Sequence, residues 1–202
     1  MVRIKQIFSK KMTKFLIKII FVFFICIPAN SEVKRITEGN NNAKIKIFVY
    51  ESLTCSHCAN FHKKIYPSLK KEFIETGKVF IEYRSFPLNL AALNAAKIAH
   101  CKNNGSAEIL HFLFENFDNW VVGSTVEELN KNLKKLINDQ NFDLDLNKCF
   151  ENKKIEDFIL EERIEGVKKF EINATPTIII NNEKFDKTLT FKNLKKYLEK
   201  LI

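Results

Sequence analysis

Two cysteines, Cys55 and Cys58, are separated by two residues at the point where the sequence pattern changes from strand to helix. Segment 44–51 (KIKIFVYE) alternates as a strand does, and in segment 56–76 apolar residues recur every three or four positions, as on one helix face. Side chains three apart at a helix start lie about 5 Å apart, and a disulfide needs a Cβ separation of about 3.5–4.5 Å. The chain must therefore fold so that a strand, a pair of thiols able to form a disulfide and a helix follow one another directly.

The start of a helix favours a thiolate at Cys55. Backbone N–H groups without a partner and the helix dipole both attract negative charge there, and a protonated His57 would add to that effect. A stabilised thiolate favours the dithiol form, so it makes the disulfide form a stronger oxidant. Cys55 is therefore the candidate nucleophile and Cys58 the candidate resolving thiol, in an exchange that needs no cofactor.

Metal binding and a purely structural disulfide are the alternatives for this pair. A zinc site would need two more ligands, and only His57 and His62 lie near in the sequence, without a second Cys-X-X-Cys. Haem attachment would need a histidine directly after the second cysteine, where Ala59 stands. We therefore expect a redox pair and no metal site, and we expect His62 to be a solvated helix residue.

The first 31 residues have the pattern of an export signal. Six Lys or Arg precede position 19 without an acid, an apolar run covers 19–27, and the small-ended triplet Ala29-Asn30-Ser31 follows. The apolar run is shorter than the roughly 20 residues of a membrane span, although an uncleaved anchor remains the alternative. The pattern predicts cleavage after Ser31 and export to the periplasm.

The basic character of the chain belongs largely to that leader. The full sequence has 33 basic and 24 acidic residues, and six of the basic ones but none of the acidic ones lie before residue 32. The remainder is close to neutral, which argues against a nucleic-acid partner because a phosphate-binding surface needs clustered positive charge. Of the five cysteines, Cys26 lies in the leader, and an even set of four suits an oxidising compartment.

After a second strand pattern at 78–86, the sequence is helical for about eighty residues. The predicted helical segments are 90–102, 106–120, 125–139 and 144–170. Cys101 and Cys149 both lie in this block. In an oxidising compartment they can form a structural disulfide, and two buried free thiols are the competing possibility.

The last part of the chain returns to a strand pattern. Thr175-Pro176 precedes a strand at 177–180, Asn181-Asn182 has the composition of a hairpin turn, and a return strand and an amphipathic helix close the chain. Two strand-containing parts therefore flank one helical block.

These features together resemble the DsbA family of thioredoxin-fold disulfide oxidoreductases. The resemblance rests on Cys55-Ser56-His57-Cys58 after the strand Phe48-Val49-Tyr50, on Phe86-Pro87-Leu88, on the helical middle and on Thr175-Pro176-Thr177. It covers nearly the whole chain after residue 40 and implies an α/β thioredoxin fold with an inserted helical domain. The implied parts are a signal peptide at 1–31, a thioredoxin-like domain formed by 32–87 and 171–202, and the insertion at 88–170.

The resemblance also implies an activity and partners. A protein of this family introduces disulfides into reduced or unfolded exported proteins and is reoxidised by a membrane partner. It further implies that Pro176 is cis and faces the Cys55 disulfide, leaving Thr175 main-chain groups to pair with an extended substrate. A proline that simply opens an edge strand is the alternative.

Two departures from the family pattern leave parts of this open. Many members carry an acidic residue six positions before the first cysteine, where this chain has Val49. Glu51 lies two residues later, and it can be either a proton relay for Cys58 or a surface residue. Ser56 between the cysteines and Thr175 before Pro176 are also compatible with a second activity, that of a disulfide isomerase or reductase. Isomerases of this kind dimerise through an added N-terminal domain, for which residues 32–43 leave no room, so a monomer is expected.

Overall fold

A mixed sheet of five strands carries the fold of residues 32–202, the part of the chain that the computed structural model describes. The strands are β1 (Ile36–Gly39), β2 (Ile45–Glu51), β3 (Val79–Ser85), β4 (Thr177–Ile180) and β5 (Glu183–Lys184), in the order β1-β3-β2-β4-β5. β2 pairs parallel with β3 and antiparallel with β4, and β1 and β5 add antiparallel edges. The predicted signal peptide and its cleavage after Ser31 lie outside the described residues.

β2 is the central strand, and it is buried on both faces because apolar side chains alternate to both sides. Ile47 and Val49 belong to the larger core, whereas Tyr50 packs in a second cluster that contains Phe86 and Ile179. A strand buried on both faces is typical of a sheet covered by helices on each side. The predicted strand before the cysteine pair is confirmed, and it lies at the centre of the sheet.

The helix after the cysteine pair is divided, as the proline within it predicts. α1 (Ser56–Lys64) ends at Ile65, α2 (Tyr66–Leu69) follows, and a π-helical turn (Lys70–Ile74) completes the segment. Pro67 lies in the first turn of α2, where its missing N–H leaves no hydrogen bond unmade.

Six helices connect β3 to β4. They are α3 (Leu90–His100), α4 (Glu108–Glu115), α5 (Phe117–Trp120), α6 (Val126–Gln140), α7 (Leu146–Glu151) and α8 (Lys153–Phe170), and α9 (Phe191–Leu198) follows β5. The predicted segments 106–120 and 144–170 are each two helices, interrupted at Asn116 and Asn152. Asn152 causes the second break because its backbone is extended and its side chain accepts the N–H of Ile155, which starts α8.

Helix α8 ties this helical block to the sheet. Glu162 accepts the N–H of Ser85 at the end of β3 (2.9 Å) and a hydrogen bond from Arg35 (2.8 Å). A Cβ on Gly166 would lie 2.6 Å from Cε1 of Tyr50, so only glycine lets the helix approach the sheet this closely. By their contacts, Val33–Ile202 form one unit; the division into a thioredoxin-like domain and an insertion at 88–170 stays a prediction.

A disulfide joins Cys101, directly after α3, to Cys149 on α7, with the two Cα atoms 5.5 Å apart. Cys149 is fully buried and Cys101 is partly buried, so the bond fixes two helices inside the block. Within residues 32–202, no helix has the length and apolar character needed to cross a membrane.

Candidate active site

Cys55 and Cys58 lie at the start of α1 in two very different environments. Cys55 is the N-cap residue, with an extended backbone and a partly exposed side chain, whereas Cys58 in the first turn is fully buried. Both cysteines are unbridged thiols in this structure. One member of the pair is therefore accessible to a reacting molecule and the other lies behind it.

Hydrogen bonds to its sulfur stabilise the thiolate of Cys55. The hydrogen bond from the Cys58 thiol has the largest effect and, with contributions from Thr175 and the main-chain N–H groups of Cys58 and His57, lowers the pKa of Cys55 to about 5 against the opposing effect of burial. His57 thus contributes through its backbone, and an effect of its exposed imidazole stays a prediction.

The Cys58 thiol has the opposite character. Burial raises its pKa far above the ordinary thiol range, and the hydrogen bond to Cys55 and the negative charge of Glu51 raise it further. Cys58 therefore stays protonated unless a nearby group takes its proton. This difference in pKa suits Cys55 to act as the nucleophile and as the leaving group. It suits Cys58 to attack Cys55 Sγ in the mixed disulfide.

The low pKa of Cys55 predicts how the reduced protein titrates. Alkylation by iodoacetamide is expected to rise with pH to half its maximum near pH 5, because the thiolate is the reacting form. The same shift stabilises the folded, reduced protein as pH rises from about 5 towards 9, since the unfolded thiol keeps its ordinary pKa, and this stability is lost again as pH falls through 5.

Cys58→Ala is the matched control for that titration. It removes the main hydrogen-bond donor to Cys55, so the midpoint is expected to move upwards towards the ordinary thiol value. A midpoint near pH 9 in the unaltered protein would contradict the prediction.

Thr175-Pro176 faces the cysteine pair, and the peptide bond between them is cis. The Thr175 carbonyl oxygen lies 3.4 Å from Cys55 Sγ, within hydrogen-bond distance, so this loop touches the nucleophile directly. An open groove runs beside the pair from this loop, between α1 and the start of α9. Its lining includes His57, Phe61, Ile65, Pro176, Leu189 and Phe191.

His62 is buried, so the prediction that it is a solvated helix residue is wrong. Its side chain is 2% exposed, and its Nε2 lies 2.7 Å from Oε2 of Glu51, whose side chain is 3% exposed. Glu51 is therefore a buried partner of His62, and a surface role for it is excluded. One signal was present in the sequence: His62 follows Cys58 by four positions and so shares its inward helix face.

The other two histidines also have polar partners. His100 is buried on α3, with Nε2 3.3 Å from Oγ of Ser85, and His111 on α4 is partly buried beside His62. Among the described residues, no group of three or more His, Cys, Asp and Glu side chains is arranged to hold a metal ion.

The sheet order, the cysteine pair at the first helix start and the cis-proline opposite it define a thioredoxin-fold protein with a dithiol site. The chain belongs to the thioredoxin family, because the family model described as Thioredoxin matches residues 31–200. Among solved structures it is similar to DsbA proteins. The predicted fold class and family are both confirmed.

Solved structures and curated relatives place the chain more closely. Wolbachia pipientis alpha-DsbA1 is 29% identical with a TM-score of 0.74, over 83% of this chain and 90% of that one. A protein-disulfide isomerase from Novosphingobium aromaticivorans has a TM-score of 0.73, over 84% of this chain and 98% of that one, but at 19% identity it shows the fold alone. A Rickettsia conorii protein named "putative protein-disulfide oxidoreductase" is 28% identical over 147 residues, which is 71% of this chain and 52% of that protein. The chain spans about half the length of the curated relatives it matches.

Proposed function

We propose that this protein is an exported thiol-disulfide oxidoreductase that transfers a Cys55–Cys58 disulfide to reduced proteins. The observation that carries the proposal is the pairing of an accessible, low-pKa Cys55 with a buried, high-pKa Cys58. The similarity to alpha-DsbA1 and to curated proteins named as disulfide oxidoreductases supports it.

The exchange runs in two displacements. A substrate thiolate attacks Cys55 Sγ, the bond to Cys58 breaks, and Cys58 leaves as a thiolate that takes up a proton. A second substrate thiolate then attacks the substrate sulfur of the mixed disulfide, and Cys55 leaves as a thiolate. The substrate loses two electrons to the protein, and the low pKa of Cys55 makes it a good leaving group in the second displacement.

The substrate is proposed to be an extended, reduced segment of an exported protein lying along the groove beside Thr175-Pro176. The apolar part of the groove lining suits side chains that an unfolded chain still exposes, and Asn60, Lys64 and Thr190 add polar groups beside it. A membrane protein that accepts the electrons, a periplasmic location after cleavage at Ser31, a monomeric state and the absence of a nucleic-acid partner are further parts of the proposal.

An isomerase or reductase is the second candidate, because Ser56 stands between the cysteines and Thr175 precedes the cis-proline. The reduction potential separates the candidates. Equilibrated with glutathione buffers, the protein is expected to have a potential above about −180 mV, because stabilising the thiolate favours the reduced form; a value near thioredoxin's, about −270 mV, would favour a reductant.

Metal analysis of the reduced protein tests the remaining alternative, a metal-binding carrier. Stoichiometric, tightly held zinc or copper that survives Cys55→Ser would exclude simple dithiol exchange. The oxidised form of the unaltered protein, mixed with a reduced peptide, is expected to oxidise that peptide.

A further inference from the structure

A continuous chain of hydrogen-bonded side chains leads from the active site towards the protein surface. It begins with Glu51 at the end of β2, whose Oε2 lies 2.7 Å from Nε2 of His62 on α1. Nδ1 of His62 lies 3.2 Å from Nδ1 of His111 on α4. Nε2 of His111 lies 2.9 Å from Oε2 of Glu38 on β1. Each of four elements thus contributes one member: β1, β2 and α1 follow one another in the chain, and α4 joins them from the helical block.

Exposure rises along this chain from its inner to its outer end. The side chains of Glu51 and His62 are 3% and 2% exposed, and those of His111 and Glu38 are 14% and 19% exposed. Both imidazoles are also held in place by stacking. The His62 ring lies 4.0 Å from that of Phe114, nearly parallel to it, and the His111 ring lies 4.2 Å from that of Tyr66.

The inner end lies near Cys58, because His62, to which Glu51 is bonded, follows Cys58 by four positions on the buried face of α1. The charge of Glu51 is among the causes that raise the pKa of Cys58, so the carboxylate lies within electrostatic reach of the thiol. Oε1 of Glu51 is buried and has no hydrogen-bond partner within residues 32–202, while Oε2 is bonded to His62. A buried carboxylate oxygen without a partner is costly, so Oε1 of Glu51 is an atom that can accept a proton.

The outer end is a carboxylate that is ionised near neutral pH. Burial acts to raise the pKa of Glu38, but the hydrogen bond and the charge of His111, with hydrogen bonds from Tyr83 and Tyr66, lower it to about 2. Lys70, the other charged neighbour, has its Nζ 3.8 Å from Oε1 of Glu38 and is itself partly exposed. Tyr83, which also lies beside both histidine rings, keeps its hydroxyl proton because burial raises its pKa well above the ordinary value.

The hydrogen-bond chain needs one proton more than two neutral imidazoles carry. The three contacts between Glu51, His62, His111 and Glu38 need one proton each, and two neutral imidazoles supply two. With Glu38 ionised, all three contacts are hydrogen bonds only when Glu51 and the two histidines share one further proton. Histidine is the side chain best suited to hold and release such a proton near neutral pH.

We propose that Glu51, His62, His111 and Glu38 form a proton relay that exchanges the Cys58 proton with solvent; the inference rests on the proposed function. When a small disulfide oxidises the protein, the Cys55 thiolate attacks it, forming a mixed disulfide and releasing one thiolate. Cys58 then gives its proton to Glu51, its sulfur attacks Cys55 Sγ, and the second thiolate leaves. One proton passes to solvent at the Glu38 end. In the opposite direction the relay returns a proton to Cys58.

His111→Gln tests the relay, because an amide can fill the site but cannot pass a proton on. Reduced protein is mixed with oxidised glutathione, and quenched samples are analysed by mass spectrometry to give the rate of ring closure from the mixed disulfide. At pH 7 the variant is expected to close at least about tenfold more slowly, since general acid–base groups typically contribute roughly 10²–10⁴-fold. Its rate is also expected to rise steeply with pH as hydroxide replaces the relay, whereas the unaltered protein varies little between pH 6 and 8.

A Cys58→Ser background distinguishes this role from a structural one. In that background only the attack by Cys55 occurs, and His111→Gln is expected to leave its rate unchanged. Equal slowing of both steps, or an unchanged pH profile for ring closure, would overturn the relay. Failure of the unaltered protein to react with oxidised glutathione would instead overturn the proposed function.

Two further variants complete the design. His100→Gln replaces a buried histidine outside the relay and is expected to keep the unaltered ring-closure profile. Glu38→Gln changes the relay at its more exposed end and is expected to slow ring closure in the same pH-dependent way, which keeps the test decisive if His111→Gln does not fold.

Discussion

Replacing Cys55 with serine is expected to reduce the oxidation of a reduced peptide to the uncatalysed rate. A hydroxyl is not ionised near neutral pH and cannot form the mixed disulfide through which exchange proceeds. Serine is also a favourable N-cap residue, so the fold should tolerate the change, and the reduced protein loses only the stabilisation that the Cys55 thiolate gives above about pH 5. The measurement is the rate at which the oxidised protein, at catalytic concentration with a glutathione buffer, forms the disulfide of a two-cysteine peptide.

Cys58→Ser is the matched comparison for that experiment. It keeps the nucleophile and removes the resolving thiol, so a mixed disulfide between Cys55 and the peptide is expected to accumulate while turnover stops. Full activity of Cys55→Ser, or trapping through Cys58 when Cys55 is absent, would contradict the assignment of roles.

Removing the disulfide between Cys101 and Cys149 is expected to lower the free energy of unfolding by about 2–4 kcal/mol. The bond closes a loop across 48 positions of sequence, so its loss restores much freedom to the unfolded chain. Urea denaturation of Cys101→Ala/Cys149→Ala, compared with the unaltered protein, measures the difference.

A reductant provides the control for that loss. In a Cys55→Ser/Cys58→Ser background, only the bond between Cys101 and Cys149 can respond, and adding dithiothreitol should lower stability by about the same 2–4 kcal/mol. The midpoint of Cys55 alkylation should be unchanged in Cys101→Ala/Cys149→Ala, because neither residue is among the causes of its pKa shift. No change in urea midpoint on reduction would show that the bond does not stabilise the fold.

The features that depend only on residues close together in the sequence could be predicted from the sequence. The cysteine pair at a strand-to-helix junction, the division of the helix at Pro67 and the turn at Asn181-Asn182 follow from local rules. The turn forms as expected, with both asparagines at positive φ. The capped start of α6 likewise depends only on residues three apart in the sequence, because Thr125 and Glu128 hydrogen-bond each other's main chain.

The buried polar chain beneath the active site could not be read in this way. Glu38 and His111 are 73 positions apart and meet only because β1 pairs with β3 while α4 packs beside α1. The spacing of His62 from Cys58 places it on the inward helix face, but its partner Glu51 is identified only when β2 and α1 are packed together. Polar residues are assigned to the surface by composition, and only the tertiary arrangement shows which of them have partners inside.

The sheet ends in two very short strands, β1 with four residues and β5 with two. Even on β1, the N–H of Thr37 is already taken by the carbonyl of Gly105 (3.1 Å). Under the proposed function this protein repeatedly meets unfolded polypeptides, which readily pair with an exposed edge strand. Because few main-chain groups are exposed at the sheet edges, the protein can bind unfolded substrates repeatedly without nucleating their aggregation.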